Sequence, residues 1–294
     1  MGRKGHVIVL GSAKGGTGKS TTAMHLIVSL LRKGNKVGSI DLDSPQSTLS
    51  RYIENRQALN LRRKLDLPIP SHLTVSDRGN DFTSLEADIH RLAGACDYVV
   101  IDTPSSDSAI SRLAHAWADT LITPINDSFV DLDVLAAVDA GKQKILRRGH
   151  YAEMVLEARK QKASRIGGTT DWIVLRNRLS NLDARNKRCM ADTLEKLSTD
   201  LDFRNGPGLS ERVIYRELFP SGLTLPDLRE EGGGVSLSMS HIAARLELRA
   251  LLAAIKPLPA AQAGCADQEF GPPQMLMQGA NVNGDTLEIL DLLY

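Results

Sequence analysis

The chain has 294 residues, of which 42% are hydrophobic, 24% charged and 4% aromatic, and its formal net charge is +1. Such a composition supports a full globular core and excludes fibrous, disordered and disulfide-stapled classes. Cys96, Cys189 and Cys265 lie far apart in no metal spacing and read as reduced cytosolic thiols, and no run approaches the ~18 apolar residues of a membrane span.

The first apolar run, His6–Leu10, predicts a strand, and Lys19–Arg32 predicts a helix. Between them lies Lys14-Gly15-Gly16-Thr17-Gly18-Lys19-Ser20-Thr21. Strand, glycine loop and helix form the setting of a phosphate-binding loop. Backbone N–H groups wrap a di- or triphosphate, and the helix N-terminus adds partial positive charge. Lys19 is placed to reach the β- and γ-phosphates of ATP, and Ser20 to ligate Mg²⁺. The common pattern G-x-x-x-x-G-K-[ST] has glycine where this chain has Ala13, and Lys14 supplies a second lysine.

A second predicted strand, Lys36–Leu42, runs into Asp41-Leu42-Asp43. Alternation puts both carboxylates on one side, where they can order metal-bound waters and an attacking water. Helix Leu85–Gly94 and strand Tyr98–Asp102 come next, and Asp102 suits a Mg²⁺-holding acid at a strand end. Helix Ser108–Trp117, strand Thr120–Ile125, helix Leu132–Arg148, strand Asp171–Leu175 and helices Ala184–Leu201 and His241–Ile255 complete the reading. Apolar runs alternating with amphipathic stretches predict an α/β fold, a doubly wound and mostly parallel sheet flanked by helices, in one domain over 1–256. Residues 257–294 are rich in Pro, Ala and Gly and hold five acids and no Lys or Arg, which predicts a poorly ordered tail and leaves about +6 on the body.

The two-lysine loop resembles the deviant Walker A signature of the ParA/MinD ATPases. Three longer strings are similar to MipZ proteins, the division-plane positioning ATPases: 51–56 (RYIENR), 126–131 (NDSFVD) and 212–220 (RVIYRELFP). The resemblance covers roughly residues 5–255 and not the tail. It implies that Lys14 reaches a partner subunit's nucleotide, that Asp43 positions the hydrolytic water, and that Asp41 acts through the water shell of the metal. It also implies that Asn177 hydrogen-bonds the adenine and that the turn at Pro207 closes over the base, although an asparagine after a strand is also a common cap. The family usually has glycine after the proline of the Asp102 motif, where this chain has Ser105-Ser106.

The function implied is an ATPase, slow until it dimerises, that forms an ATP-bound homodimer. The resemblance further implies non-specific double-stranded DNA binding, ParB as origin-side partner, and inhibition of FtsZ assembly away from midcell. Location would then be cytoplasmic, nucleoid-associated and enriched near the poles. DNA binding has separate support in the five basic residues of 176–188, with candidates Arg178, Arg185, Lys187 and Arg188, joined by Arg212 and Arg216. The same charges are also those of a solvated helix face. Alternatives are a ParA-type partitioning ATPase, a MinD-like membrane ATPase, a binding module with negligible turnover, or a small-molecule ligase on the same fold. The acidic, base-free tail disfavours an anionic membrane surface.

Overall fold

The run His6–Leu10 forms β1, and all five of its residues are buried. A strand buried on both faces needs helices above and below it, the usual condition of a parallel sheet. The structure, a computed structural model, describes residues 5–43, 46–74, 82–139, 144–179, 184–229 and 238–255. After β1 come α1 (Lys19–Arg32), β2 (Val37–Asp41), α2 (Thr48–Arg63), β3 (Ser71–Thr74), α3 (Phe82–Ala95) and β4 (Tyr98–Asp102). They are followed by α4 (Ala109–Trp117), β5 (Thr120–Asn126), α5 (Phe129–Leu132), β6 (Ala136–Asp139), β7 (Lys144–Arg148) and α6 (His150–Arg165). The last are β8 (Asp171–Asn177), α7 (Ala184–Leu201), β9 (Arg204–Asn205), α8 (Ile214–Leu218) and α9 (Met239–Ala254).

Seven strands form one sheet in the order β3-β2-β4-β1-β5-β8-β9, and every neighbouring pair is parallel. The chain runs from β1 out to β2 and β3, returns to β4 beside β1, and then crosses to β5, β8 and β9 on the other side, so the carboxyl end of β1 lies near the switch in winding direction, where open α/β sheets bind ligands. Alternation along β1 splits the core. Val7 and Val9 join Ile89, Trp117, Val155 and Leu197 on the face covered by α3, α4, α6 and α7. Ile8 and Leu10 join Met24, Tyr52, Leu218 and Leu251 on the face covered by α1, α2, α8 and α9. No helix among the described residues is long and apolar enough to cross a membrane.

The predicted helix over 132–148 is not formed. The structure has the short α5, an antiparallel β6–β7 hairpin, and then α6, which sequence reading did not assign. The Leu-Ala-Ala composition of 132–137 favours a helix locally, but tertiary packing overrides it. Gly149 donates its N–H to the Leu135 carbonyl and packs so close to the Val134 carbonyl that a Cβ would collide with it. The return of the chain at Gly149 thus pairs Ala136 with Arg148 as strands. The predicted flexible turn at 230–234 and the tail at 257–294 lie outside the described residues.

One buried ion cluster joins α1, α2 and the one-turn 3-10 segment Leu225–Arg229. Arg56, fully buried, donates to both oxygens of Asp227 at 2.7 and 2.9 Å, and Arg32 donates to the same carboxylate at 2.6 Å. Burial alone would raise the Asp227 carboxyl, but the Arg56 guanidinium, Thr224 and Arg32 hold it down at about 2. Its stabilisation is therefore present above the ordinary carboxylate value of 3.8 and lost as pH falls through about 2. Asp227→Ala leaves the fully buried Arg56 charge with only the Pro68 and Gly222 carbonyls as acceptors and should cost about 3–5 kcal/mol in denaturant unfolding at neutral pH. A loss below about 1 kcal/mol would show that the cluster is solvated rather than locked.

Candidate functional site

Residues 11–18 turn the carboxyl end of β1 into the N-terminus of α1. Gly16 (φ 74°) and Gly18 (φ 88°) take left-handed conformations that admit glycine without a Cβ penalty. Gly18 is the N-cap of α1 and provides no side-chain cap. The first N–H groups of α1 therefore lack a side-chain acceptor, as an anion site requires. Within the loop, the Ser12 hydroxyl lies 2.9 Å from both the Lys14 carbonyl and the Thr17 hydroxyl. At the end of β8, Asn177 donates to the Thr17 carbonyl at 2.6 Å, and its side-chain oxygen accepts from the Arg178 N–H.

Lys19 is 5% exposed and donates to the Ser105 hydroxyl at 2.7 Å and more weakly to Ser12 at 3.4 Å. Burial pushes its ammonium below the usual lysine value, while Asp102 and Asp43 pull it back up. Parallel register sets Asp102 beside Leu10 on one side and Asp41 on the other. Asp102 is fully buried, and neither carboxylate oxygen makes a hydrogen bond of good geometry. Burial raises its carboxyl to about 7, against the pull of the Ser20 hydroxyl and Lys19. A buried, unpartnered carboxylate beside a hydroxyl fits a hard cation that keeps most of its water. Among the described residues no three His, Cys, Asp or Glu side chains converge on one point. A metal here would be held by Ser20 and Asp102 with phosphate and water oxygens.

The two acids of the second motif divide their work. Asp41 is buried, and its carboxylate is engaged within the chain. One oxygen accepts from the Asp43 N–H at 3.0 Å, and the other from the N–H and hydroxyl of Ser50 at 2.9 Å each. It therefore caps the first turn of α2 from a distance. Asp43 is half-buried; burial raises its carboxyl, Lys19 lowers it, and Asp41 raises it further.

Lys14 is folded onto its own protomer. Its ammonium donates to the Val130 carbonyl and to Asp131, each at 2.7 Å, with about a third of the side chain exposed. Phe129 and Val130 beside it are 45% and 69% exposed. A cavity of about 100 Å³ opens on the far side of the loop, walled by Gly18, Thr22, Asn177, Leu209 and Arg212. Thr21 also lines it, while Gly15 and Pro207 do not. Leu209 and its successors, rather than Pro207, bring the turn over the cavity.

Of the predicted basic residues, Arg178, Arg212 and Arg216 line the cavity and Arg188 does not. Arg178 and Arg188 are exposed. Arg216 is exposed and pairs with Glu211 at 2.8 Å. Arg212 belongs to the cavity wall, paired with Glu247 at 2.6 Å and only 15% exposed in its side chain. The side chains of Arg185 and Lys187 lie outside the described residues. Sequence reading missed Asp131 and Ser105, the acceptors that hold the two loop lysines. They lie 117 and 86 positions away from them, and no local pattern marks such a pairing.

The model of the family described as ATPase MipZ matches residues 6–260. The chromosome partitioning protein ParA of Myxococcus xanthus is 27% identical over 159 residues, 45% of this chain and 56% of that protein. The chain spans about half the length of the first curated relatives it matches. Among solved structures, an ATP complex of McdA from Cyanothece superposes with a TM-score of 0.58 at 20% identity, over 88% of this chain and 100% of that one. The septum site-determining protein MinD of Pyrococcus horikoshii, complexed with Mg-ADP, gives 0.53 at 20% identity over 83% and 93%. These likenesses place the fold among the ParA/MinD-type P-loop proteins.

Proposed function

The chain belongs to the ATPase MipZ family, and from that membership we propose that it is an ATP-driven dimerisation switch that binds DNA and restricts the site of cell division. The observation that carries the reading is the empty-handed Asp102 carboxylate beside Lys19 and the uncapped N-terminus of α1. Phosphoryl transfer needs positioning and charge neutralisation more than covalent chemistry, and this corner offers both. The loop N–H groups of 15–18 and Lys19 hold the phosphates, with Thr21 near the sugar side. Ser20 and Asp102 hold Mg²⁺, which when bound neutralises phosphate charge. Asp43 orients the attacking water, and Asp41 holds the Asp43 loop in place and would act on the metal only through its water shell. Asn177 and the Leu209–Arg212 wall enclose the base, with Pro207 behind them.

Lys14 is the switch. In the single chain it is bound to Asp131; in the dimer it leaves that acceptor for the partner subunit's triphosphate. Exposed Phe129 and Val130 lie where the second copy would close. Arg178, Arg188 and Arg216 give the exposed positive charge for non-specific duplex DNA, with Arg185 and Lys187 adjoining them in sequence. ParB as the origin-side partner and FtsZ as the inhibited target complete the reading, in a cytoplasmic, nucleoid-associated protein enriched near the poles.

Size-exclusion chromatography of wild type, Asp43→Ala and Lys14→Ala with ATP and with ADP tests it. Asp43→Ala should run at twice the monomer mass with ATP only, and that species alone should retain duplex DNA and release it as salt rises. Lys14→Ala should stay monomeric with either nucleotide. Equal mass for all three proteins in both nucleotides would reject the switch.

A further inference from the structure

A directed chain of hydrogen bonds runs from the edge of the sheet to the Asp43 loop. Parallel register places His72 of β3 opposite Ser39 of β2, and Thr74 opposite Asp41. The His72 ring lies 2.9 Å from Ser39 Oγ through Nδ1 and 2.9 Å from Ser50 Oγ through Nε2. Ser50 in turn reaches Asp41 with both its hydroxyl and its N–H, and Asp41 reaches the Asp43 N–H. Ser39, Asp41 and Ser50 are all buried, so these groups have few alternatives in water.

The chemistry fixes the direction. An ionised carboxylate only accepts, so Ser50 commits its single hydroxyl proton to Asp41. The Ser50 oxygen then accepts from its two other neighbours at 2.9 Å, Thr74 Oγ1 and His72 Nε2, which puts a ring proton on Nε2. Nδ1 is left bare and accepts from the Ser39 hydroxyl. The Thr74 hydroxyl, 2.9 Å from Ser50 Oγ and 3.4 Å from His72 Nε2, joins the same junction, and this assignment of donors is that of the neutral imidazole. Burial also keeps the imidazole below the ordinary histidine value, against Asp41 on β2 and Glu54 on α2.

We propose that His72 is a positioning residue for ATP hydrolysis: through Ser50 it fixes the rotamer of Asp41, and through Asp41 the backbone that presents Asp43. The inference rests on the reading of Asp43 as the water-orienting group. His72 touches neither phosphate nor metal in it, so its removal acts on turnover and not on nucleotide binding.

Steady-state hydrolysis by the full chain tests this, with thermal midpoints measured alongside. His72→Leu breaks both ring contacts and should lower kcat about tenfold while KM for ATP stays within about twofold. His72→Gln should recover most of kcat, because one amide can donate to Ser50 and accept from Ser39. Ser50→Ala, which keeps the backbone N–H to Asp41, should repeat the kcat loss and guards against a His72→Leu protein that fails to fold. A purely structural histidine would lower the midpoint in the Leu and Gln variants and leave kcat per folded molecule unchanged; that result overturns the proposal. Asp43→Ala is run beside them. If it abolishes turnover while His72→Leu and Ser50→Ala do not alter it, the positioning role alone fails. If Asp43→Ala turns over like wild type, the reading of Asp43 fails and takes the positioning role with it.

Discussion

Asp43→Ala protein is expected to bind ATP with near-wild-type affinity and to hydrolyse it at least about 10²-fold more slowly, the usual contribution of a positioned proton acceptor. The expectation follows from where the side chain sits. Asp43 is half-buried at the carboxyl end of the sheet, close enough to Lys19 for each to shift the titration of the other. Burial raises its carboxyl above the ordinary carboxylate value, which strengthens it as a base. It makes no part of the loop cradle, so ground-state binding does not depend on it. Removing an interaction used only in the transition state lowers kcat without raising KM. Single-turnover phosphate release with bound nucleotide measured in parallel gives both quantities. Hydrolysis within threefold of wild type would mean that another group orients the water.

Asp102→Asn is expected to strengthen the nucleotide-free protein and to abolish its response to Mg²⁺. The folded-state carboxyl titrates at about 7 against an ordinary 3.8. A raised value means that the stabilisation is complete below pH 3.8 and declines as pH rises through about 7. The difference corresponds to something on the order of 4 kcal/mol between the two ends of that window. A neutral amide removes this penalty, so urea unfolding of the variant should be nearly flat over the same range and exceed wild type at pH 8. The wild-type protein should regain its deficit with Mg²⁺ and nucleotide, because binding to the native state stabilises it. The variant should not. Parallel pH profiles for the two proteins would mean that the carboxylate is solvated and not desolvated as the structure has it.

Much of the site was legible because its parts are local. The loop between β1 and α1 and the acid that ends β4 are each contained within about ten residues, and β1, β4, α1 and α7 fall on their predicted bounds. The doubly wound sheet follows from the same alternation of apolar and amphipathic runs. What was hidden depends on long-range packing. Helical composition over 132–137 gave no warning that the Leu135 carbonyl would pair with Gly149 across the open end of a hairpin. Asp41 could be recognised as an acid near a phosphate but not as the cap of α2, because that role needs Ser50 in place. Arg212 read as one basic residue among several, and only the pairing with Glu247 on α9 removes it from the open surface.

The Asp41 carboxylate grips the connection between β2 and α2 at both ends, by the N–H of Asp43 and the N–H of Ser50. The side chain thus closes a second, wider ring around a link that the Ser47 N–H already closes on the Asp43 carbonyl, and the entropy of closing it is lost when the protein folds. Ligand capture then begins from a connection already shortened, so less of the nucleotide's intrinsic affinity is consumed in assembling it.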